Sequence, residues 1–508
     1  MNTQKKIMKL QDLADIIDTL RLQNRKIVHC HGCFDLLHIG HIRHFREARQ
    51  RGDILVVTIT PDRFIDKGPG PPAFSEGLRA EAVASLGIVD YVAINEWPTA
   101  KETLRLLKPH YFAKGSEFKG AEADYTGKIE SELRVVEEIG AEIVFTHEIV
   151  FSSSNLINRF LSNKPQEIQE YLRLFRERYS IDHIHDVLEN MAGLKVMVIG
   201  DTILDDYQYC EAIGKSNKDP VLALRYKSND IFAGGVLAVA NHLAGLAGQV
   251  RLFTTLGEQD SHEDFISSSL SSNITPHFVY QPEAPTLIKR RFLDGYSFNK
   301  LFEVYIMNGG GLSEDQDSEF CRQVEEELPE YDVVVVADFG HETISGHMVR
   351  TLCDSARYLA VNTQANAGNR GFHTIGAYPR ADFISLAEHE IRLEMRRMNG
   401  PVRQMMDEVS KKLSCPTFMV TRGRSGCVVR GGDGAFVASP SLATRVVDRI
   451  GAGDAFFAAT SLAAAMGTDE ELLAFLGNVA GSLAVEVIGN EKPIDRLKMK
   501  KYVTALLK

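Results

Sequence analysis

Two histidines three residues apart, His38 and His41, close the segment Gly32-Cys-Phe-Asp35-Leu-Leu-His38-Ile-Gly40-His41. An apolar pair, Ile27-Val28, leads into it, and a helical pattern from His38 to Arg49 leads away, so a strand ends and a helix begins here. Such a junction turns free backbone amides and the positive end of a helix toward bound anions. Residues three apart share a helix face, and Gly40 leaves room for a phosphate to approach. The chemistry that fits is hydrogen-bond donation to triphosphate oxygens while an α-phosphorus is attacked and pyrophosphate leaves. No obvious carboxylate ligand accompanies the two rings, as a metal site would require.

A second anion site is written in Val447-Asp-Arg-Ile-Gly451-Ala452-Gly453-Asp454. Gly451, Ala452 and Gly453 make a small, tight approach to a helix start, and their amides can cradle a phosphoryl group in transfer. Asp454 stands where a carboxylate can take a proton from a hydroxyl. Aspartate also favours helix N-caps, the plainer role for the same position.

These segments need sheets behind them. Helical spacing over residues 8–22 is followed by strand patterns at Ile27–Cys30, Ile54–Ile59, Tyr91–Ile94, Tyr111–Ala113 and Ile143–Phe145, with helical patterns between them. That alternation predicts a doubly wound parallel sheet over residues 1–160. Residues 161–192, rich in Glu, Arg, Gln and Lys, predict a helical connector, either solvated or packed on a domain. A second α/β pattern over 193–508 has strands at Lys195–Gly200, Val250–Phe253, Val333–Ala337, Tyr358–Val361, Phe383–Ile384 and Thr417–Val420. The small-residue run Gly451–Met466 reads as a helix close against that sheet.

Bulk properties set limits. The 508 residues exceed one ordinary core, and the formal charge of -11 argues against a nonspecific nucleic-acid binder. Seven dispersed cysteines form no disulfide framework and point to a reducing cytoplasm. Cys30 and Cys33 are spaced like a metal or redox pair, but no second pair follows at zinc spacing. The N-terminus has no apolar signal region, and no apolar run is long enough to span a bilayer.

Gly32-Cys-Phe-Asp35 with His38-Ile-Gly-His41 resembles the signature of the cytidylyltransferase-like nucleotidyltransferases, closest to the domain that makes nucleotide-activated heptose. Asp66-Lys67-Gly68, Arg79 at the following helix, Pro109-His-Tyr-Phe-Ala-Lys114-Gly115 and Phe151-Ser152-Ser153-Ser154 extend the likeness over about residues 25–160. The resemblance implies a Rossmann-like fold with His38, His41 and Lys114 in catalysis. It implies Gly32, Phe34, Gly40, Lys67, Arg79 and Ser152 to Ser154 at the nucleotide and its phosphates, and Asp35 ordering the site or binding the acceptor. Taken without it, Lys67 and Lys114 read as surface lysines.

The second half resembles the ribokinase-like carbohydrate kinases, nearest the heptose-phosphate branch, over about residues 193–490. The likeness rests on Gly200-Asp201-Thr-Ile-Leu-Asp205, Gly234-Gly235, Thr286-Leu-Ile-Lys289-Arg-Arg291, Asp338, Thr421-Arg-Gly423-Arg-Ser-Gly426 and the Gly451–Asp454 motif. It implies Asp454 as base, Gly451, Ala452 and Gly453 as anion hole, and Thr421, Gly423 and Gly426 at the nucleotide. Asp201, Asp205, Gly234, Gly235, Lys289, Arg291 and Asp338 would hold the sugar, and Glu390 would act on Mg2+ through water. Four positions depart from the pattern: Ala238 for asparagine, His341 for lysine, Asn362-Thr363-Gln364 for Asp-Pro-Lys, and Ala387 for the asparagine of Asn-x-x-Glu. Each removes a charge, donor or amide, and Asn366 and Asn369 are the nearby candidates to compensate.

Together the resemblances imply ATP-dependent phosphorylation of a sugar or sugar phosphate, then nucleotidyl transfer from ATP or CTP to the sugar 1-phosphate. The familiar bifunctional enzyme has the kinase first; here the order is reversed. The alternative is a CTP-dependent polyol-phosphate cytidylyltransferase fused to a kinase-like sugar sensor or dimerisation scaffold. Expected partners are a sugar phosphate and a nucleoside triphosphate, with neither nucleic acid nor membrane, and the prevalence of two-fold symmetry points to a homodimer.

Overall fold

The computed structural model describes residues 3–65, 72–115, 128–146, 165–307 and 310–508. The chain divides into two compact units, Met1–Asn163 with Thr504–Lys508, and Lys164–Val503.

In the first unit, β1 (Ile27–Gly32), β2 (Ile54–Ile59), β3 (Tyr91–Ile94), β4 (Tyr111–Gly115) and β5 (Glu142–Thr146) form one parallel sheet in the order β3-β2-β1-β4-β5. Helices α1 (Leu10–Leu22), α2 (Ile39–Arg49), α3 (Glu76–Ala84), α4 (Lys101–Leu107) and α5 (Lys128–Glu138) connect or flank the strands. The β-branched run of β2 has apolar residues at both parities because both faces are covered. Leu55, Val57 and Ile59 pack with Phe45 of α2 and Val83 of α3. Val56 points the other way, into a cluster with Leu13 and Ile17 of α1. Strand order reverses between β1 and β4, the place where sheets of this kind form a ligand crevice at their carboxyl ends.

The second unit is built on β6 (Lys195–Lys215), a strand long enough to serve two sheets. Its first part lies parallel between β8 (Gln249–Gln259) and β12 (Val333–Asp338). The sheet continues through β13 (Leu359–Thr363), β14 (Phe383–Ala387) and β15 (Thr417–Thr421), all parallel, and ends in antiparallel β16 (Cys427–Arg430) and β17 (Phe436–Ser439). On the opposite edge, β9 (Ile274–Pro285) pairs with β8. Beyond Asp201, β6 leaves this layer to pair with β7 (Leu222–Gly235) and with β10 (Ile288–Asp294), which carries β11 (Lys300–Ile306) at its edge. Asp201, Asp338, Ala387 and Thr421 thus all stand at the carboxyl ends of parallel strands.

The connector forms two helices, Gln166–Arg178 and Ile181–Asn190, and it is packed. Phe175 is wholly buried and stacks on Phe475 with centroids 4.2 Å apart. The Tyr179 hydroxyl donates to Asp469, and Arg178 pairs with Glu471. The apolar positions Tyr171, Leu172 and Phe175 form the packed face, and the charged residues between them mark the solvated face. Phe175→Ala should destabilise the second unit by about 3–5 kcal/mol, as emptying a packed aromatic site does; urea unfolding checks this, and a solvated helix would show almost no change.

Candidate functional site

In the first unit, the crevice at the ends of β1 and β4 is shaped by the turn from β1 into α2. Phe34 and Leu36 both adopt positive φ, 49° and 48°, conformations that cost non-glycine residues about 1–3 kcal/mol each. Gly32 is required by this turn, because a Cβ there would lie 2.9 Å from the Phe34 ring folded back over it. His38 is the N-cap of α2, and its Nδ1 accepts the Gly40 amide at 3.1 Å. His41 reciprocates by accepting the His38 amide at Nδ1, 3.4 Å away. The two rings stack with centroids 3.8 Å apart. A ring nitrogen that accepts a backbone N–H carries no proton, so the neutral form of each ring has its proton at Nε2. Burial lowers the His38 pKa and favours that neutral form. The Nε2 of His38 is buried with no hydrogen-bond partner among the described residues, a donor suited to an anion.

Lys114 ends β4 beside this turn, with its Nζ 2.7 Å from Glu132 of α5. Two residues overlooked in the sequence stand with it. His44 continues the His38 and His41 face by another three residues, and its Nδ1 lies 2.9 Å from the Thr146 hydroxyl. Burial, then the Lys114 charge, lower the His44 pKa to about 4. The three-residue spacing was the available signal for His44; Glu132 had none.

Three expectations change here. The Arg79 guanidinium is buried and donates to the carbonyls of Phe74, Cys33 and Thr60, to the Cys33 sulfur and to Asp62, which leaves no donor for a phosphate. It ties the ends of β1 and β2 to the start of α3. Phe34 is a core residue packed on Phe45, with its ring perpendicular to that of His41 at 5.4 Å. The Gly40 amide is occupied by His38. Asp35 takes the ordering role, accepting the amides of Ala73 at 2.8 Å and Phe74 at 3.1 Å. Lys67, Ser152, Ser153 and Ser154 lie outside the described residues.

In the second unit, Gly451 has φ 81° and precedes the helix Ala452–Ala465, whose start no side chain caps. The first-turn amides of this helix therefore remain available to an anion. A side chain at Gly451 would meet Asn490 at 2.0 Å. Asp454 lies in this turn, and burial of its carboxyl, reinforced by Asp205 and opposed by Lys289, raises its pKa to about 7. Asp205 pairs with Arg291 and fills the space a Gly234 side chain would need. Gly235, at φ 58°, abuts the Asp201 carbonyl. Lys289 is buried 5.3 Å from the Tyr305 ring centre, and burial lowers its pKa. Asp205, Gly234, Lys289, Arg291 and Asp454 thus make one charged patch.

Asp201 and Asp338 both bind protein groups at the strand ends. Asp201 accepts the amides of Phe339, His341 and Thr343, holding the loop after β12. Asp338 accepts from the Gly340 amide and the Tyr378 hydroxyl, and one of its oxygens lies 2.8 Å from His373 Nε2. Both carboxyls are thus occupied by protein donors. Beside them, a cleft of about 180 Å³ is lined by Asp201, Gly257, Thr286, His341 and Thr343. His341 Nε2 is buried there without a partner among the described residues, and burial, then Lys289, lower this ring to about 4.

Glu390 accepts the amides of Ala365 and Ala387, and burial, with Asp454 adding to it, raises its pKa to about 7. Asn366 and Asn369 give their amides to the carbonyls of Phe339 and Gln364 and so shape the loop after β13. Thr421 donates to the Leu386 carbonyl across the sheet. Gly423 and Gly426, at φ 56° and 75°, make the turn from β15 to β16.

Asp448, which carried no assignment in the sequence, organises the anion loop. Its carboxylate accepts the amides of Arg449, Ile450 and Gly489, the Tyr207 hydroxyl and Lys300. Burial works against its charge, but Lys300 and Tyr207 prevail and hold its pKa below the usual range. Through Lys300 it joins the edge strand β11 to the approach of the phosphate-facing helix.

Comparison with known proteins agrees with this division. The pfkB family carbohydrate kinase model matches residues 194–496, more than half of the chain, and the cytidylyltransferase-like model matches 29–160. A protein of Aliarcobacter butzleri named Bifunctional protein HldE is 33% identical over 166 residues, covering 32% of this chain and 33% of that one. The protein of that name from Bradyrhizobium diazoefficiens is 23% identical over 306 residues, covering 59% and 61%. Alignment with the Aliarcobacter relative thus spans about a third of its length. Phosphofructokinase-2 from Escherichia coli in complex with fructose-6-phosphate superposes with a TM-score of 0.50 at 18% identity, over 62% of this chain and all of that one, a likeness of fold.

The raised Asp454 pKa has a definite sign in stability. A carboxyl near 3.8 when unfolded and about 7 when folded binds its proton more tightly in the fold, so folding loses stability as pH rises between those values. Asp454→Asn cannot ionise and escapes that loss. Urea unfolding should find it more stable than the unsubstituted chain above pH 7, with the gap closing below pH 4; a gap independent of pH would show the carboxyl has its ordinary pKa.

Proposed function

The chain belongs to the pfkB family of carbohydrate kinases and carries a cytidylyltransferase-like domain ahead of its kinase domain, and from this we propose that it makes a nucleotide-activated sugar in two phosphoryl transfers. The observation that supports it best is that one chain holds two strand-to-helix anion sites with complementary chemistry. One has a carboxyl with a pKa near 7; the other has paired imidazoles with Nε2 donors.

In the first transfer, Asp454 takes the proton of a sugar hydroxyl as its oxygen attacks the γ-phosphorus of ATP, and ADP leaves. The Ala452 and Gly453 amides receive the charge that builds on the phosphoryl oxygens. Lys289, Arg291 and Asp205 orient a sugar or sugar phosphate. The pairing of cationic Lys289 and Arg291 favours an anionic substrate. Magnesium bound with ATP would be held by phosphate oxygens and, through water, by Glu390, and would neutralise charge on the transferred group.

In the second transfer, a phosphate oxygen of the sugar 1-phosphate attacks the α-phosphorus of CTP or ATP, and pyrophosphate leaves. The nucleophile is already an anion, so the site needs orientation and charge stabilisation more than a general base. His38 and His41 donate from Nε2 to the α-phosphate oxygens, and Lys114 exchanges Glu132 for the triphosphate. A cytoplasmic homodimer completes the reading; among the described residues no helix is long and apolar enough to cross a membrane.

Separate assays of ADP and pyrophosphate release test this on the full chain, over a panel of sugar phosphates with ATP and CTP. His41→Ala should lower pyrophosphate release about 100–1,000-fold and leave ADP release unchanged. Asp454→Asn should lower ADP release about 100–10,000-fold and spare nucleotidyl transfer to a supplied sugar 1-phosphate. Both activities surviving both changes would overturn the assignment. Absence of γ-phosphate consumption across the panel would leave the second domain a sensor or scaffold.

A further inference from the structure

Away from both sites, three side chains of unlike chemistry converge in the second unit. Asp317 and Cys321 lie four residues apart on the helix Glu314–Glu327, and so on one face of it. His347 stands in the first turn of the helix Gly346–Ser355, which Ser345 caps. One donor atom from each of the three lies within 4.8 Å of the other two. His347 Nδ1 is 3.5 Å from one Asp317 oxygen, and Cys321 Sγ is 3.9 Å from the other. Ligand bonds of 2.0–2.3 Å at a tetrahedral zinc separate neighbouring donor atoms by about 3.3–3.8 Å. Small side-chain adjustments therefore bring the three donors into range of one ion.

The donor types choose the ion. Magnesium and calcium take oxygen ligands, whereas a thiolate with an imidazole and a carboxylate suits zinc and its first-row neighbours. Cys321 and Asp317 are held by a helix packed on the core, so two ligands are positioned before a metal arrives. The His347 side chain is 45% exposed, which gives an ion a way in.

We propose that Asp317, Cys321 and His347 bind one zinc-class divalent cation through three protein ligands, with a fourth position left to water. The bound ion would clip two neighbouring helices together. The second of them follows directly on the loop that Asp201 holds, so the clip also anchors the far end of a segment that lines the cleft.

Cobalt provides the test, because cobalt–thiolate bonds absorb in the near ultraviolet. The full chain is stripped with a chelator and titrated with Co2+ and then Zn2+. One equivalent of Co2+ should produce the thiolate band, Zn2+ should abolish it, and Zn2+ should raise the melting temperature. Cys321→Ser should remove the band. His347→Ala, at a half-exposed position that leaves the fold intact by circular dichroism, should weaken binding at least about 100-fold, the upper end of what even an outer-shell partner contributes. No thiolate band in the unsubstituted chain overturns the proposal. So does His347→Ala affinity equal to the unsubstituted chain, which places the metal on other cysteines.

Discussion

Where a parallel strand gives way to a helix or loop, the backbone has amides that no ladder satisfies, and each must find an acceptor. Both sites are arranged by how this requirement is met. At the start of α2, the Gly40 and His38 amides are taken by imidazole nitrogens, which turns the opposite edge of each ring into a donor. After β12, three amides are taken by Asp201, which fixes the loop. At the helix Ala452–Ala465, no side chain takes them, and they remain for a phosphoryl group. The same backbone chemistry thus yields a pair of oriented donors, a rigid loop and an open anion site, according to the residue placed beside it.

Charge follows from this arrangement. Burial in the second unit pushes three carboxyls, Asp201, Glu390 and Asp454, toward neutrality. Asp201 rises to about 6 through burial and then Asp338, and Glu390 rises to about 7 through burial and then Asp454. Asp448 departs from this trend because it alone of these gains Lys300 and Tyr207. A carboxyl near neutrality is the form a proton-accepting residue needs at ordinary pH, since it still accepts strongly when ionised. Lys289 and Arg291 keep the patch from being purely acidic, as an anionic sugar would require.

The central parallel strands were legible because they are buried on both faces and read as β-branched runs: Ile54–Ile59 and Val333–Ala337 stand out without context, whereas β9 and β10, parallel but partly exposed, do not. The antiparallel strands were not. β7, Leu-Ala-Leu-Arg-Tyr-Lys-Ser-Asn-Asp-Ile-Phe-Ala-Gly-Gly, and β11 are exposed over most of their length, so solvent permits either parity to be polar and no period survives. β6 continues through Asp201, Asp205 and Asp206, where charges normally end a strand, because these carboxyls have partners within the fold. At the sites, motif spacing singled out His38, His41 and Asp454, which the structure places at helix starts. It gave no sign that Arg79, Asp201 and Asp338 bond to protein groups, since a charged residue in a motif looks the same whether it faces a ligand or a backbone. The partners that decide this, Phe339 for Asp201 and Cys33 for Arg79, lie 138 and 46 residues away in the chain.

The central claim, that junction amides dictate which edge of each imidazole faces the phosphate, is a statement about where two protons sit. Nitrogen NMR of the full chain with labelled histidine, at pH 8 and without nucleotide, observes them directly. The structure requires His38 and His41 to be neutral with the proton on Nε2 and Nδ1 bare. Protonated Nδ1 in both rings would show that the amides are not bonded to them, and the donor geometry at the nucleotidyl site would fall with that bond.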